Sequence, residues 1–372
     1  MALLNEEQAM LKDQAVAWVS EQAPVAQFRA VRDQGEGRCY AEPTWQAMVD
    51  MGWTGILVPE AYGGSDLGYL TFGLVLEQLG RELTASPLFA SALVGTTAVL
   101  LGGNEAQKQQ WLPKVVEGSE VLTLAVDDGP RHAPDTIRLA AEPTADGYTL
   151  TGAKTFVPEG MAATAFVVAA RRTDTGATVL LLVPADAGGL SRSRLHTFDG
   201  RGYANLSFEG VAVPAVAELA EGGETLLTDV LDRARAGLGA EMLGTASKAF
   251  DLTLEYLKTR EQFGRIIGSF QALGHRAAEL YTQLELSRSC AEAALQAVDA
   301  GKANIAPMAS LSQAKVGAFL HWMSNQLIQI HGGIGMTDDF DAGFYLKRAR
   351  ALEALYGNPA FHRDRYARLL GY

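Results

Sequence analysis

The sequence predicts an α+β chain of several domains: an all-α N-terminal domain, a small β domain in the middle, and a C-terminal four-helix bundle. Apolar residues recur at helical spacing through the first third, alternate with period two from 119 to about 214, and return to helical spacing from about 225 onward. The expected domains are 1–118, 119–216 and 225–372.

Residues 4–20 and 71–85 read as helices, the second carrying Phe72, Val75, Leu76, Leu79 and Leu83 on one face between turn residues. Between them MGWTGILVPEAYGGSDL at 51–67 is a connection punctuated by Gly and Pro. The runs YTLTGAKTF, AFVVAAR, TVLLLVP and LSFEGVAVP then alternate, with Leu206, Phe208, Val211 and Val213 facing one way past a break at Gly210. They predict a small antiparallel sheet or barrel. A long helix follows, its stripe made of Leu231, Leu238, Met242, Ala246, Phe250, Leu254 and Leu257. Three further helical segments, roughly 269–300, 304–331 and 340–370, complete a bundle whose last member is broken.

Composition narrows the function. The 372 residues are 48% hydrophobic with a mean hydropathy of +0.03, which suits packed cores rather than disorder. The longest apolar runs, such as FVVAA at 166–170, fall far short of the roughly 20 residues of a membrane span. The formal net charge is −12 and Lys and Arg form no block, which disfavours nucleic acid or an anionic membrane as partner. The first residues are acidic where a signal peptide would be basic, so a cytoplasmic location is expected. Cys39 and Cys290 stand alone, implying a reducing compartment without a disulfide framework. The six histidines are scattered, and metal catalysis is not expected.

Two stretches carry candidate chemistry. In LEYLKTREQFGRIIGSFQ, 254–271, Arg260, Phe263 and Gly264 end one helical run, and the next helix is expected to open at Ser269 with Gln271 in its first turn. A fork of donors, a flat apolar face and an amide suit a large planar ligand bearing phosphates. The plainer alternative is an interhelical turn with a surface ion pair. In QLIQIHGGIGM, 326–336, a helix with Gln329 runs into Gly332, Gly333 and Gly335, where a backbone without Cβ can approach a ligand closely.

Taken in order with GWTGILVPEAYGG and GAKTFV at 152–157, these stretches resemble the acyl-CoA dehydrogenase family over essentially the whole chain. The resemblance implies FAD between the β domain and the bundle, with Phe156 and Val157 on the flavin side. It implies that the bundle of a second subunit supplies Arg260, Phe263, Gln271, Gln329, Gly332 and Gly333 to the adenosine and pyrophosphate, hence an oligomer. It also implies an acyl-CoA substrate and an electron-transfer flavoprotein or similar acceptor. Arg201 in FDGRGY and Arg235 in LDRARAGLGAEMLG match arginines near the family's substrate. From the residues alone, Arg201 sits in a turn that could simply be solvated, whereas Arg235, mid-helix among small residues, wants an acidic partner or an anionic ligand.

The reaction so implied is α,β-dehydrogenation: a carboxylate takes the α-proton and the β-hydrogen leaves as hydride. Here the chain departs from the family. Where many members carry the Glu of YEGT this sequence has Tyr356, and the alternative position in the long helix is Ala234. The TEPxAGSD run is replaced by VDDGPRHAPD at 126–135, and Pro158 stands where Thr is usual. The acid nearest the expected site is Glu241, with Asp338 and Asp339 as alternatives. Three readings therefore stay open: a subunit that works with a base-carrying homologue; a self-sufficient enzyme, or related flavin monooxygenase, with an unusual base; and a flavin-free scaffold subunit.

Overall fold

The computed structural model describes residues 3–35, 37–219 and 222–372. Helices α1 (Glu6–Gln22), α2 (Val25–Gln34), α3 (Glu42–Asp50), α4 (Gly68–Arg81), α5 (Thr96–Gly102) and α6 (Glu105–Val116) precede the sheet. The helical character of the first third comes from sequence-local devices. Asn5 and Asn104 each open a helix with a capping box, the Asn side chain accepting from the third residue's N–H and the Gln there bonding back. The connection 51–67 is more ordered than a plain loop, winding through 3-10 turns at Trp53–Gly55 and Glu60–Tyr62. Leu83, expected on the second helix, lies past its end at φ 55°.

The strands are β1 (Leu122–Ala125), β2 (Ala140–Pro143), β3 (Gly147–Val157), β4 (Ala165–Arg172), β5 (Thr178–Pro184), β6 (Leu190–Arg194), β7 (Ala204–Pro214) and β8 (Glu218–Leu219). Their order is β6-β7-β3-β2-β4-β5-β8, with β1 also on β4. The expected antiparallel sheet or barrel is thus an open, mixed sheet. β1 and β2 both run parallel to β4, a pairing reached through crossovers that period-two spacing does not reveal, and β6 and β8 end the order unpaired to each other. The break at Gly210 is a bulge: Leu150 faces Val211 and Thr151 faces Glu209, so Gly210, at φ 68°, is the extra residue. Leu206, Phe208, Val211 and Val213 point into one core with Val168 and Leu181, as their alternation requires.

The bundle begins with α7 (Gly223–Thr259), whose 37 residues extend about 56 Å at 1.5 Å each. Its expected stripe is buried except for half-buried Leu254. The next helix does not open at Ser269. A two-residue hairpin pairs β9 (Glu261–Gln262) with β10 (Arg265–Ile266), a 3-10 turn spans Ile267–Ser269, and α8 (Gln271–Asp299) starts behind Phe270. There follow α9 (Ile305–His331), a 3-10 turn Gly332–Met336, α10 (Ala342–Ala354) and α11 (Pro359–Leu369). The last member is broken, as expected: Tyr356 and Gly357 take positive φ, and Asn358 caps α11 by accepting from Phe361 N at 2.9 Å.

By contacts the chain gathers into two compact units. One holds Met1–Phe28, Tyr69–Thr84 and Arg235–Tyr372; the other holds Arg29–Gly68 and Ala85–Ala234. In the first unit α4 crosses α7 backbone to backbone, because a Cβ on Gly244 would collide with Glu77 O and one on Gly80 with Glu241 O. Asp299, at the end of α8, caps α4 by accepting from Tyr69 N (2.6 Å) and Leu70 N (2.8 Å). No helix among the described residues is long and apolar enough to cross a membrane.

Candidate functional site

The two chemistry-bearing stretches meet at one end of the bundle. The Tyr256 ring, one turn before Arg260, packs 4.2 Å from the His331 ring, and its hydroxyl reaches His331 O at 3.5 Å. Arg260, Gln271 and Gln329 are all exposed there. In the hairpin between them, Phe263 (φ 56°) and Gly264 (φ 76°) form the corner, both in the left-handed region that such two-residue turns demand. Gly accepts that geometry without cost; Phe pays roughly 1–2 kcal/mol for it. Phe263 is nevertheless 91% exposed, meeting edge-on the Phe270 ring, over which the Arg265 guanidinium lies at 4.0 Å. Strain spent on holding an aromatic out in solvent does nothing for the chain's own core, which points to a ligand or partner.

Gly332 (φ 65°) and Gly333 are exposed, and beyond their chain neighbours no atom of the described residues lies within 4 Å of where a Cβ would project. Gly335 differs from the expectation: it is buried, and a Cβ there would sit 3.1 Å from His331 Cβ, so packing explains it. Exposed donors, a projecting aromatic and an open glycine backbone fit the adenosine and pyrophosphate of FAD.

The second unit holds the residues expected on the flavin side. Phe156 is half-buried, sits in the irregularity of β3 between Lys154 and Val157 at φ 53°, and stacks on Tyr203 with centroids 4.4 Å apart and planes 5° from parallel. Val157 is 1% exposed in the sheet core, which leaves only its main chain for a ligand. The segment replacing TEPxAGSD is satisfied from within. Asp127 receives His132 Nδ1 (3.0 Å) and Ala133 N (3.2 Å), while Asp128 receives Arg138 N and Lys154 Nζ, each at 2.7 Å. Burial lowers the Lys154 pKa, and Asp128 opposes that shift. Pro158 brings no N–H. This half offers a ring face and backbone, and so fits FAD more sparsely than the bundle does.

The remaining candidates are buried. Arg201 is 3% exposed, so its turn is not solvated. Arg235, 1% exposed, donates from Nε to Tyr356 O at 3.1 Å, and its guanidinium lies 5.6 Å from the Phe361 ring centre. That carbonyl also accepts from His362 Nε2 at 3.1 Å, which locks Tyr356, itself 2% exposed, at the break between α10 and α11. Ala234 is fully buried. The Glu241 carboxylate is buried against Arg348, with Oε1 2.6 Å from Nη2. That pairing gives Glu241 a structural occupation. Asp338 and Asp339 are exposed in the segment before α10. Sequence reasoning passed over Tyr203, Tyr256 and His331, whose only signal was aromatic character beside a quoted motif.

Residues 5–119 match the acyl-CoA dehydrogenase N-terminal domain and residues 221–371 the acyl-CoA dehydrogenase C-terminal domain. The chain is 31% identical over 333 residues to acyl-CoA dehydrogenase FadE27 of Mycobacterium tuberculosis, covering 88% of this chain and 87% of that protein. Among solved structures it is similar to the Tcur3481–Tcur3483 steroid ACAD, with a TM-score of 0.89, 32% identity and 98% of each chain covered. It is also similar to the ChsE4–ChsE5 complex from Mycobacterium tuberculosis, with a TM-score of 0.92, 27% identity and 100% and 99% of the two chains covered. With both terminal domains matched and a relative above 30% identity over most of its length, the chain belongs to the acyl-CoA dehydrogenase family.

Proposed function

We propose that this chain is one subunit of a two-component, FAD-dependent acyl-CoA dehydrogenase whose catalytic base lies on a homologous partner. The observation that carries this is Tyr356, a buried phenol fixed by its own carbonyl: counted from QIHGGIG it falls where the family's base is expected, and a phenol is a weak base at neutral pH. FAD, the family's cofactor, supplies the hydride acceptor when bound. Arg260, Gln271 and Gln329 would hold its phosphates and adenosine, Phe263 would pack on its adenine, and Gly332 and Gly333 would let the backbone approach. Phe156 would flank the flavin. Arg201 and Arg235 would act on the acyl-CoA by shaping the walls around it, since both side chains are buried.

The likeness to a steroid ACAD and to a two-chain complex supports a bulky, steroid-like acyl group and a homologous partner. The electron acceptor in this reading is an electron-transfer flavoprotein or a similar carrier. The free thiols Cys39 and Cys290 suit a cytoplasmic setting. The organisation is 1–118, 119–216 and 225–372, supported by family matches at both ends.

Anaerobic flavin bleaching by straight-chain, branched and steroid-like acyl-CoAs tests the proposal, using the chain alone, its Tyr356→Glu variant, and the chain with its partner. Bleaching with the partner only is expected, since a missing base costs about 10²–10⁴-fold. Rapid bleaching by the unmodified lone chain overturns it. A second reading, a flavin-free subunit, is favoured by the self-satisfied 126–135 segment and Pro158. A colourless pure complex would establish it.

A further inference from the structure

His331 is the last residue of α9, immediately before the Gly332–Met336 turn, and the reading above gives it no role. Its imidazole is 3% exposed, packed between the Tyr256 ring at 4.2 Å and the Phe340 ring at 4.7 Å. Tyr256 belongs to α7 and Phe340 to the segment that leaves the turn, so the stack joins both sides of the turn to the bundle. A carbonyl can only accept, so the 2.8 Å contact with Leu327 O puts the proton on Nδ1. Nε2 is then a bare lone pair. It is buried and has no hydrogen-bond partner among the described residues.

We propose that His331 is a positioning residue: its neutral ring clamps the Gly332–Gly333 turn against the bundle, and its protonation opens the turn and releases the phosphate-bearing cofactor. Protonation would place an N–H at Nε2 where nothing accepts it and water does not reach. Two flanking aromatic faces recover part of the cost by cation–π attraction, but they provide no acceptor in the ring plane. The titratable group facing the ring from α7 is the Tyr256 phenol, with Glu255 and Lys258 exposed on the same turn. From α9 the facing groups are Leu327 and Ile328, which carry no charge. From the following segment Asp338, Asp339 and Asp341 flank Phe340. None of these carboxylates governs the imidazole: burial lowers its pKa and the Leu327 carbonyl raises it. With an ordinary value near 6.5 once the turn opens, a ring that stays neutral when closed gives about a thirtyfold rise in the open-to-closed ratio at pH 5.

The proposal rests on the turn carrying FAD, and the experiment separates the two ideas. In the flavin-free full chain, hydrogen exchange at amides 332–341 is measured from pH 7 to pH 5 in the native protein and in His331→Phe, which keeps the stack and removes the titration. In the flavin-loaded protein, FAD release is followed by flavin fluorescence over the same range. Acid-induced opening and at least tenfold weaker FAD retention in the native protein, both absent in His331→Phe, are expected. Opening without FAD loss would sink the assignment of the turn to FAD and leave the clamp standing. Equal pH dependence in both proteins would overturn the clamp. Should His331→Phe not fold, nitrogen-15 titration of the native imidazole decides: protonation in the closed state near 6.5 refutes the proposal, and a neutral Nδ1–H form persisting well below it supports it.

Discussion

Replacing Arg348 by Met should destabilise the first unit severely while leaving any flavin chemistry of the folded protein intact. Arg348 and Glu241 bury their charges against each other, with side chains 9% and 8% exposed and 2.6 Å between charged atoms. Removing Arg348 strands the Glu241 charge away from water, a loss of about 3–5 kcal/mol. With about 2.1 cal/mol/K of unfolding entropy per residue, 372 residues correspond to roughly 0.8 kcal/mol/K, so the Tm should fall by about 4–6 °C. Glu241→Gln should cost less, because Arg348 has further bonding of its own. The double variant Glu241→Gln/Arg348→Met should recover much of it, because no uncompensated charge remains. Calorimetry of all four proteins closes the cycle, with acyl-CoA-dependent bleaching measured alongside in the presence of the partner. Additive single effects below about 1 kcal/mol would show that the pair is not buried as described. Loss of bleaching in Glu241→Gln with full flavin content would refute the structural assignment, making Glu241 the base.

Arg260→Ala should weaken flavin retention by roughly 10–150-fold, the equivalent of one charge-assisted contact of about 1.5–3 kcal/mol; an unchanged flavin-to-protein ratio on dilution would show that Arg260 does not touch the cofactor. Burial and a 2.6 Å hydrogen bond to Glu218 push the Tyr148 phenol up to about 12. Because this folded-state value exceeds the unfolded one near 10, the stabilisation is present below about pH 10 and is lost as the pH rises to about 12. Ultraviolet titration should show a tyrosine ionising near 12 that is missing in Tyr148→Phe; a transition near 10 for that residue would contradict the bonding seen. The protein should be at least dimeric, since Phe263 and Met336, 91% and 76% exposed, lie beside residues expected to serve a neighbouring flavin. Light scattering that finds a stable, flavin-loaded monomer would exclude that assembly.

The sequence by itself determined whatever depends on neighbours along the chain. Side-chain spacing announced the switch from helix to strand and back, and Gly210 marked the bulge, because an extra residue in a ladder favours the one amino acid free at positive φ. Gly332 and Gly333 advertised an open backbone for the same reason. Tertiary structure decided what depends on residues distant in sequence. Glu241 became half of a buried ion pair because Arg348, 107 residues away, arrives beside it. Arg201 and Arg235 became buried, the sheet became open and mixed, and Phe156 acquired Tyr203 as a stacking partner. The short hairpin that lifts Phe263 into solvent also escaped notice, since two-residue strands are too short to show a period. Spacing states which face of an element is apolar and where the backbone can bend. It says nothing about which charge from a remote segment will share the same buried volume, and in this chain that choice separates structural acids and arginines from those left for chemistry.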